Sequence, residues 1–206
     1  MFRVDLHLHT VFSGDSTINP KLIVDQLHVH PLIKGVAITD HNTLEGYFQV
    51  HKLASAYKDL VILPGIEIST EKGDVIILGV EEIPEYPATL NSAIEFAKAT
   101  DGVIIIPHPY RSMGIGDLAI NIDAHAVEVL NPTATPKENA LARKLAKTKN
   151  LPGIAGTDAH NTREMWTVFT EVKAQPTVES VLNAIQKGFV KAGATCAISL
   201  LEKDGR

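Results

Sequence analysis

The stretch FRVDLHLHTVFSGDS, residues 2–16, sets His7 and His9 one residue apart. Val4, Leu6 and Leu8 alternate with Asp5, His7 and His9, the period of a strand with one apolar face. Side chains two apart on a strand lie side by side, so two imidazoles there can reach one cation. Taken alone, an HxH pair is equally compatible with two histidines facing water at a strand mouth. More donors follow: Asp15 in FSGDS, His41 in AITDHN, Glu67 in PGIEIS, His108 in VIIIPHP, and Asp158 with His160 in GTDAH.

Imidazole and carboxylate without thiolate suit zinc, manganese or iron, and the mixture does not choose among them. The candidates are too numerous for one tetrahedral ion. Two or three divalent ions, with a carboxylate such as Glu67 bridging a pair, would use them all. Such a site activates water to hydroxide at neutral pH and clamps the attacking and leaving oxygens of a phosphoryl displacement. Each residue also has a plainer reading. Asp15 fits an ordinary turn, and Asp40 fits a helix cap or a support for its neighbours. Glu67 is harder to explain away, because a carboxylate between Ile66 and Ile68, if buried, costs several kcal/mol to desolvate unless it is paired.

The elements that must position these groups alternate in type. FRVDLHLH, GVAITD, LVILPGIEI, DVIILGV, GVIIIPH, AVEVLN, GIAGTD and TVFTEV read as strands. TLEGYFQVHKLASAY, ATLNSAIEFAKAT, PKENALARKLAKTKN and TVESVLNAIQKG carry helical spacing, with Thr43, Thr89 and Thr177 as caps. This alternation predicts a mostly parallel sheet, open or closed. Most of the donors fall at the C-terminal ends of strands, the edge where parallel α/β folds place their chemistry. His28 and His30, before Pro31, read as a surface loop; His51 sits in a helix and His125 at the opposite mouth. Glu128 stays outside the expected ligand set.

The 206 residues, 45% of them hydrophobic, can fill one core, and a single domain over 1–206 is expected. A net charge of -5 without a run of lysine or arginine argues against a nucleic-acid polymer as partner. A single cysteine, Cys196, excludes an intramolecular disulfide and reads as a small buried residue. Neither a membrane-spanning run nor a signal-peptide pattern is seen, so a cytoplasmic protein without membrane association is expected. Oligomeric state is not legible.

In order, HxH, Asp15, TDH, GIE, HP and GTDAH resemble the polymerase and histidinol phosphatase (PHP) superfamily, from His7 to His160. The resemblance implies a distorted (β/α)7 TIM-like barrel with its metal site at the C-terminal ends of the strands. It also implies a metal-dependent phosphoesterase acting on a small phosphorylated substrate, a phosphomonoester or a small phosphodiester or nucleotide. By motif, His7, His9, Glu67 and Asp158 correspond to the set for one ion, and Glu67 bridges to a second ion held also by His108. Asp15, His41 and His160 correspond to the third set. Where full members carry a further histidine after GIE, this chain offers Asp74. Family analogy makes Arg111 a phosphate contact and puts Asn131 near the site, with Asp158 or His160 guiding protons. The rival readings are an amidohydrolase-type hydrolase and a non-catalytic metal-binding barrel that serves as a binding subunit.

Overall fold

The computed structural model describes residues 1–195, so the reading of Cys196 lies outside the described residues. Nine strands form one sheet in the order β7-β6-β5-β4-β3-β2-β1-β8-β9. They are β1 (Phe2–Leu8), β2 (Gly35–Ile38), β3 (Val61–Thr70), β4 (Gly73–Leu78), β5 (Val103–Ile106), β6 (Ala126–Leu130), β7 (Gly153–Ala155), β8 (Val168–Val172) and β9 (Val190–Ala194). Among the described residues five α-helices accompany them: α1 (Pro20–Val29), α2 (Glu45–Ala54), α3 (Leu90–Ala99), α4 (Pro136–Lys149) and α5 (Val178–Gln186). The sheet curls into a nearly closed barrel. Beyond β7, Asp158 N–H donates to His7 C=O at 2.7 Å and His9 N–H to Ala159 C=O at 3.2 Å, which brings the far edge back onto β1. Lower down, Thr170 Oγ1 joins β8 to β7 by accepting Ala155 N–H at 2.9 Å and donating to Ala155 C=O at 2.8 Å.

The α/β barrel agrees with the sequence reading; its strand directions are less uniform. β1, β2 and β3 run parallel, as do β5, β6 and β7, but β4 is antiparallel to both its neighbours, and β8 to β1 and β9. The reversal of β4 follows from its connection. Thr70 pairs with Gly73, and two residues make too tight a hairpin for a crossover. The start of β4, with Asp74, therefore lies at the mouth where β3 ends. The ninth strand was not anticipated, because VKAGA has little apolar alternation to mark it.

The interior is filled by alternate residues of the ring: Val4 and Leu6, Ala37, Leu63, Ile76 and Leu78, Ile105, Ala126 and Ile154. Val181, Ala184 and Ile185 of α5 join this cluster. At Gly79 (φ 86°), just past the end of β4, a Cβ would stand 2.8 Å from Leu182 of α5, so glycine permits the close seat of that helix. One expectation is corrected here: Leu8 does not share a face with Val4 and Leu6 but packs outside, among Ile23 and Leu27 of α1, Tyr47 of α2, and Val36 and Ile38 of β2. The pairing of β1 with β2 shifts register between Asp5 and Leu8. A register irregularity of that kind breaks strict alternation, so His7 and His9 can point inward above Leu6.

Helix ends follow local chemistry. Thr89 caps α3, Thr177 caps α5, and Thr135 with Glu138 forms a capping box on α4. Thr43 does not occupy the cap of α2; Leu44 does, without a side-chain bond, while Thr43 accepts only the Glu45 N–H. His28 is in the last turn of α1, not in the loop after it. Among the described residues, no helix is long and apolar enough to cross a membrane.

Closure by Thr170 yields a first prediction. Thr170→Val keeps the shape but leaves the buried Ala155 N–H and C=O without their partner, so denaturant unfolding should show a loss of about 1–3 kcal/mol.

Candidate metal centre

Alternation that fills the barrel also aims its donors. Asp74 shares the inward parity of Ile76 and Leu78, Glu67 that of Leu63, and Glu128 that of Ala126. Above the apolar interior, the mouth thus carries a polar layer. Among the described residues, three overlapping groups have ligand atoms within 4.8 Å of one another: His7, His9, Glu67 and Asp158; Glu67, Asp74 and His108; and His9, Asp15, His41 and His160. All eight residues expected from the sequence come together, and Asp74 joins them.

In the first group the two Nε2 atoms of His7 and His9 face each other at 3.0 Å. Each is 3.3 Å from Asp158 Oδ1, and they stand 3.3 and 3.1 Å from Glu67 Oε2. Glu67 Oε1 turns the other way, to His108 Nε2 at 3.0 Å. At the rim, Asp15 Oδ2 lies 3.5 Å from His41 Nε2 and 3.2 Å from His160 Nε2, and His41 Nδ1 is 3.4 Å from Glu67 Oε2. The first two groups are buried; the third is partly open, Asp15 most of all.

These groups fit divalent cations. Among the described residues, the buried side-chain polar atoms without a hydrogen-bond partner are Asp74 Oδ1, His108 Nδ1 and Asp158 Oδ1, and all three belong to this cluster. Buried polar atoms are almost always bonded, so the two orphan carboxylate oxygens, Asp74 Oδ1 and Asp158 Oδ1, call for a missing electrophile; His108 faces Glu67 through Nε2, its Nδ1 lying on the other side of the ring. The electrostatics agree. Burial works against the charged form of Glu67, yet His7, His108 and His9 hold its carboxyl well below the usual range. Asp158 is likewise held low by His7 and His9 against burial. Conversely, burial would lower His9, but Asp158 and Glu67 push it up to about 9, and Asp158, Glu67 and Glu128 raise His7 strongly. Asp74 rises to about 6 through burial and the nearby Glu67.

A further shell holds the donors in place. Glu128 Oε1 meets His7 Nδ1 at 3.1 Å, and Glu128 Oε2 accepts the His108 backbone N–H at 2.8 Å. Asn131 Nδ2 donates to Glu128 Oε2 at 3.0 Å and to Asp158 Oδ2 at 3.2 Å. Asp5 accepts from the backbones of His7 and Thr157 and from the Thr157 hydroxyl, while burial pushes its carboxyl up to about 7. The backbone is strained where it matters: His108 has φ 23° and Asp158 φ 51°, a region costly for residues other than glycine. Both N–H groups are anchored, one by Glu128 and one by His7 C=O.

Arg111 does not point freely into the mouth. Its Nη1 pairs with Asp158 Oδ2 at 2.5 Å and also bonds Thr133 Oγ1. Asp40, expected as a cap or a support, caps no helix; it grips Thr10, the residue after His9. The remaining histidines stay apart from the donor groups: His30 Nδ1 accepts the Leu32 and Ile33 N–H groups, His125 Nδ1 accepts the Ile104 N–H, and His51 stacks on Tyr47. Asp5, Glu128 and Thr157 were missing from the sequence-derived site. Glu128 did carry a signal, an acid between Val127 and Val129 at a strand end; Thr157 carried none.

The family model described as the PHP domain matches residues 5–113, more than half of the chain. This chain belongs to the PHP family. A second model, described as PHP-associated, matches residues 136–190. The donor groups draw on both segments, since Asp158 and His160 lie in the second. An uncharacterized protein of Methanocaldococcus jannaschii, MJ1587, is 34% identical over 63% of this chain and 81% of its own length. A Bacteroides vulgatus two-domain protein containing a predicted PHP-like metal-dependent phosphoesterase superposes with a TM-score of 0.79 at 18% identity; the match covers 94% of this chain and spans 64% of that one. A Chromobacterium violaceum amidohydrolase with bound sulfate and no metal gives a TM-score of 0.63 at 16% identity, over 78% of this chain and 88% of that one. At these identities the two structures show a common fold.

Metal ligation needs neutral imidazoles, and the neighbouring carboxylates keep His9 protonated up to about pH 9 in the metal-free chain. Protons therefore compete with the cation, and affinity should rise with pH until about 9. Calorimetric titration of the metal-free protein with zinc at neutral pH, in two buffers of different ionisation heat, should register net proton release. Binding that releases no proton would contradict this account.

Proposed function

We propose that this chain is a metal-dependent phosphoesterase that hydrolyses a small phosphomonoester, or a small phosphodiester or nucleotide, and that it works as one domain. The observation that carries the reading is the division of Glu67. One oxygen faces His7, His9 and His41, and the other faces His108, so a single buried carboxylate serves two adjoining donor groups. With the rim group, the residues offer places for two or three divalent ions, of zinc, manganese or iron. Bound there, such ions would supply an activated water and positive charge against the phosphoryl oxygens.

The residues of the chain do the remaining work. His7, His9, Glu67 and Asp158 hold the inner position, Asp74 and His108 the second, and Asp15, His41 and His160 the outer one. Arg111 sits at the rim on Asp158, with further guanidinium donors to offer a phosphate oxygen. With no ion in the outer position, His160 Nε2, beside Asp15 at the partly open edge, could take or return a proton while Nδ1 remains by the Asp158 carbonyl at 2.9 Å; with an ion there, Nε2 is its ligand. The net charge of -5 supports a small anionic substrate drawn in locally over a nucleic-acid polymer. An amidohydrolase assignment is less well supported, since among the described residues arginine and not lysine pairs with a carboxylate of the cluster.

Purified protein assayed on p-nitrophenyl phosphate with manganese, zinc or iron should show turnover that a chelator removes. His9→Ala should lower it by more than about 100-fold, since even supporting residues of metal sites carry 10–100-fold. Arg111→Ala should lower kcat/KM by about 100-fold while metal uptake persists, as expected for loss of one preorganised donor. Metal uptake without hydrolysis of phosphate esters would favour the binding-subunit reading instead.

A further inference from the structure

The turn after β1 carries a hydroxyl that touches two of the donor residues. Ser13 Oγ lies 3.0 Å from His9 Nδ1 and accepts the His41 backbone N–H at 3.1 Å. The turn is itself firmly held. Asp40 accepts the Thr10 N–H at 2.5 Å and the Thr10 hydroxyl at 2.7 Å, and Thr10 Oγ1 in turn accepts the Phe12 N–H at 3.2 Å. Ser13 N–H closes the turn on Thr10 C=O at 2.9 Å, and Gly14, at φ 87°, supplies the left-handed exit. The ends of β1 and β2 are thus tied twice, in opposite senses. The carboxylate beside His41 grips the residue after His9, and a hydroxyl four residues beyond His9 grips the backbone of His41.

His9 belongs to both the inner and the rim donor groups, yet its two ring nitrogens are not equivalent. Nε2 is the one that faces His7, Glu67 and Asp158. A hydroxyl oxygen has two lone pairs, and one of those on Ser13 is taken by the His41 N–H. The second is available to a hydrogen on His9 Nδ1, which leaves Nε2 as the free donor of the neutral ring. We infer that Ser13 is a positioning residue: it selects the His9 tautomer, commits Nε2 to the inner group, and fixes His41 relative to it. This rests on the metal-centre reading above. Its consequence is a division of labour, with His9 serving the inner position and the rim left to Asp15, His41 and His160.

The test is calorimetric titration of the metal-free full chain with zinc chloride alone, beside thermal melts followed by circular dichroism. Ser13→Ala should weaken the tightest binding by about 10–100-fold, the usual effect of losing a hydrogen-bond partner of a metal-bound histidine. Ser13→Gly should match it, and Ser13→Thr should restore it, with melts of the metal-free proteins little changed. A purely structural role would shift the melts and leave affinity alone. Long-range proton–nitrogen spectra of the zinc-loaded natural chain, which need no variant, should show His9 bound through Nε2 with hydrogen on Nδ1. Unchanged affinity in folded Ser13→Ala and Ser13→Gly, or His9 bound through Nδ1, overturns the inference. Failure of the natural chain to bind zinc overturns instead the metal-centre reading beneath it.

Discussion

The structure depends on a buried carboxylate that no protein cation neutralises alone. Glu67 sits at the mouth of the barrel among His7, His9, His41 and His108, with Asp158 and Asp74 close by. Removing such charges from water costs several kcal/mol per ion in real proteins. Without metal, shared protons on the imidazoles supply the compensation, which is why the histidines of the inner group are pushed up while Glu67 and Asp158 are held down. Divalent cations offer the same neutralisation with more charge and without the protons. Much of the surrounding architecture serves to keep these like-charged groups from moving apart.

That architecture has two layers. Below, alternating Val, Leu, Ile and Ala side chains make a packed interior that α5 adjoins. Above, the same inward positions turn polar, so strands that supply rigidity also supply donors. The supporting groups lie one bond further out: Glu128 steadies His7 and the His108 backbone, Asn131 links Glu128 to Asp158, and Asp5 with Thr157 locks the strand end that carries His7. Positive φ at the donors His108 and Asp158 places backbone strain at the mouth, which hydrogen bonds from Glu128 and β1 can sustain.

Membership of the PHP family accords with this arrangement. The solved relatives share the barrel at low identity, and they divide between a predicted phosphoesterase and an amidohydrolase. A common fold does not choose between those chemistries; the residues at the mouth must. The departure at Asp74 is instructive. Its carboxylate, with one unpartnered oxygen, lies with Glu67 and His108, so the second donor group has a hard, acidic character.

The sequence by itself determined the donor types, their order and most of the elements that carry them. HxH, TDH, GIE, HP and GTDAH were legible because a polar residue at the end of an apolar strand has few reasons to be there. The threonine caps at Thr89 and Thr177 were legible because capping is a contact between near neighbours. Tertiary structure alone decided the rest. The shifted register in β1 sent Leu8 outward, the reversal of β4 carried Asp74 to the mouth, and Arg111 found Asp158. Glu128 became the partner of His7 across 121 positions of chain. Pairing partners, strand direction and burial are set by segments distant in the chain, and a local pattern of residue types does not encode which distant groups will share the low-dielectric space that fixes their charge.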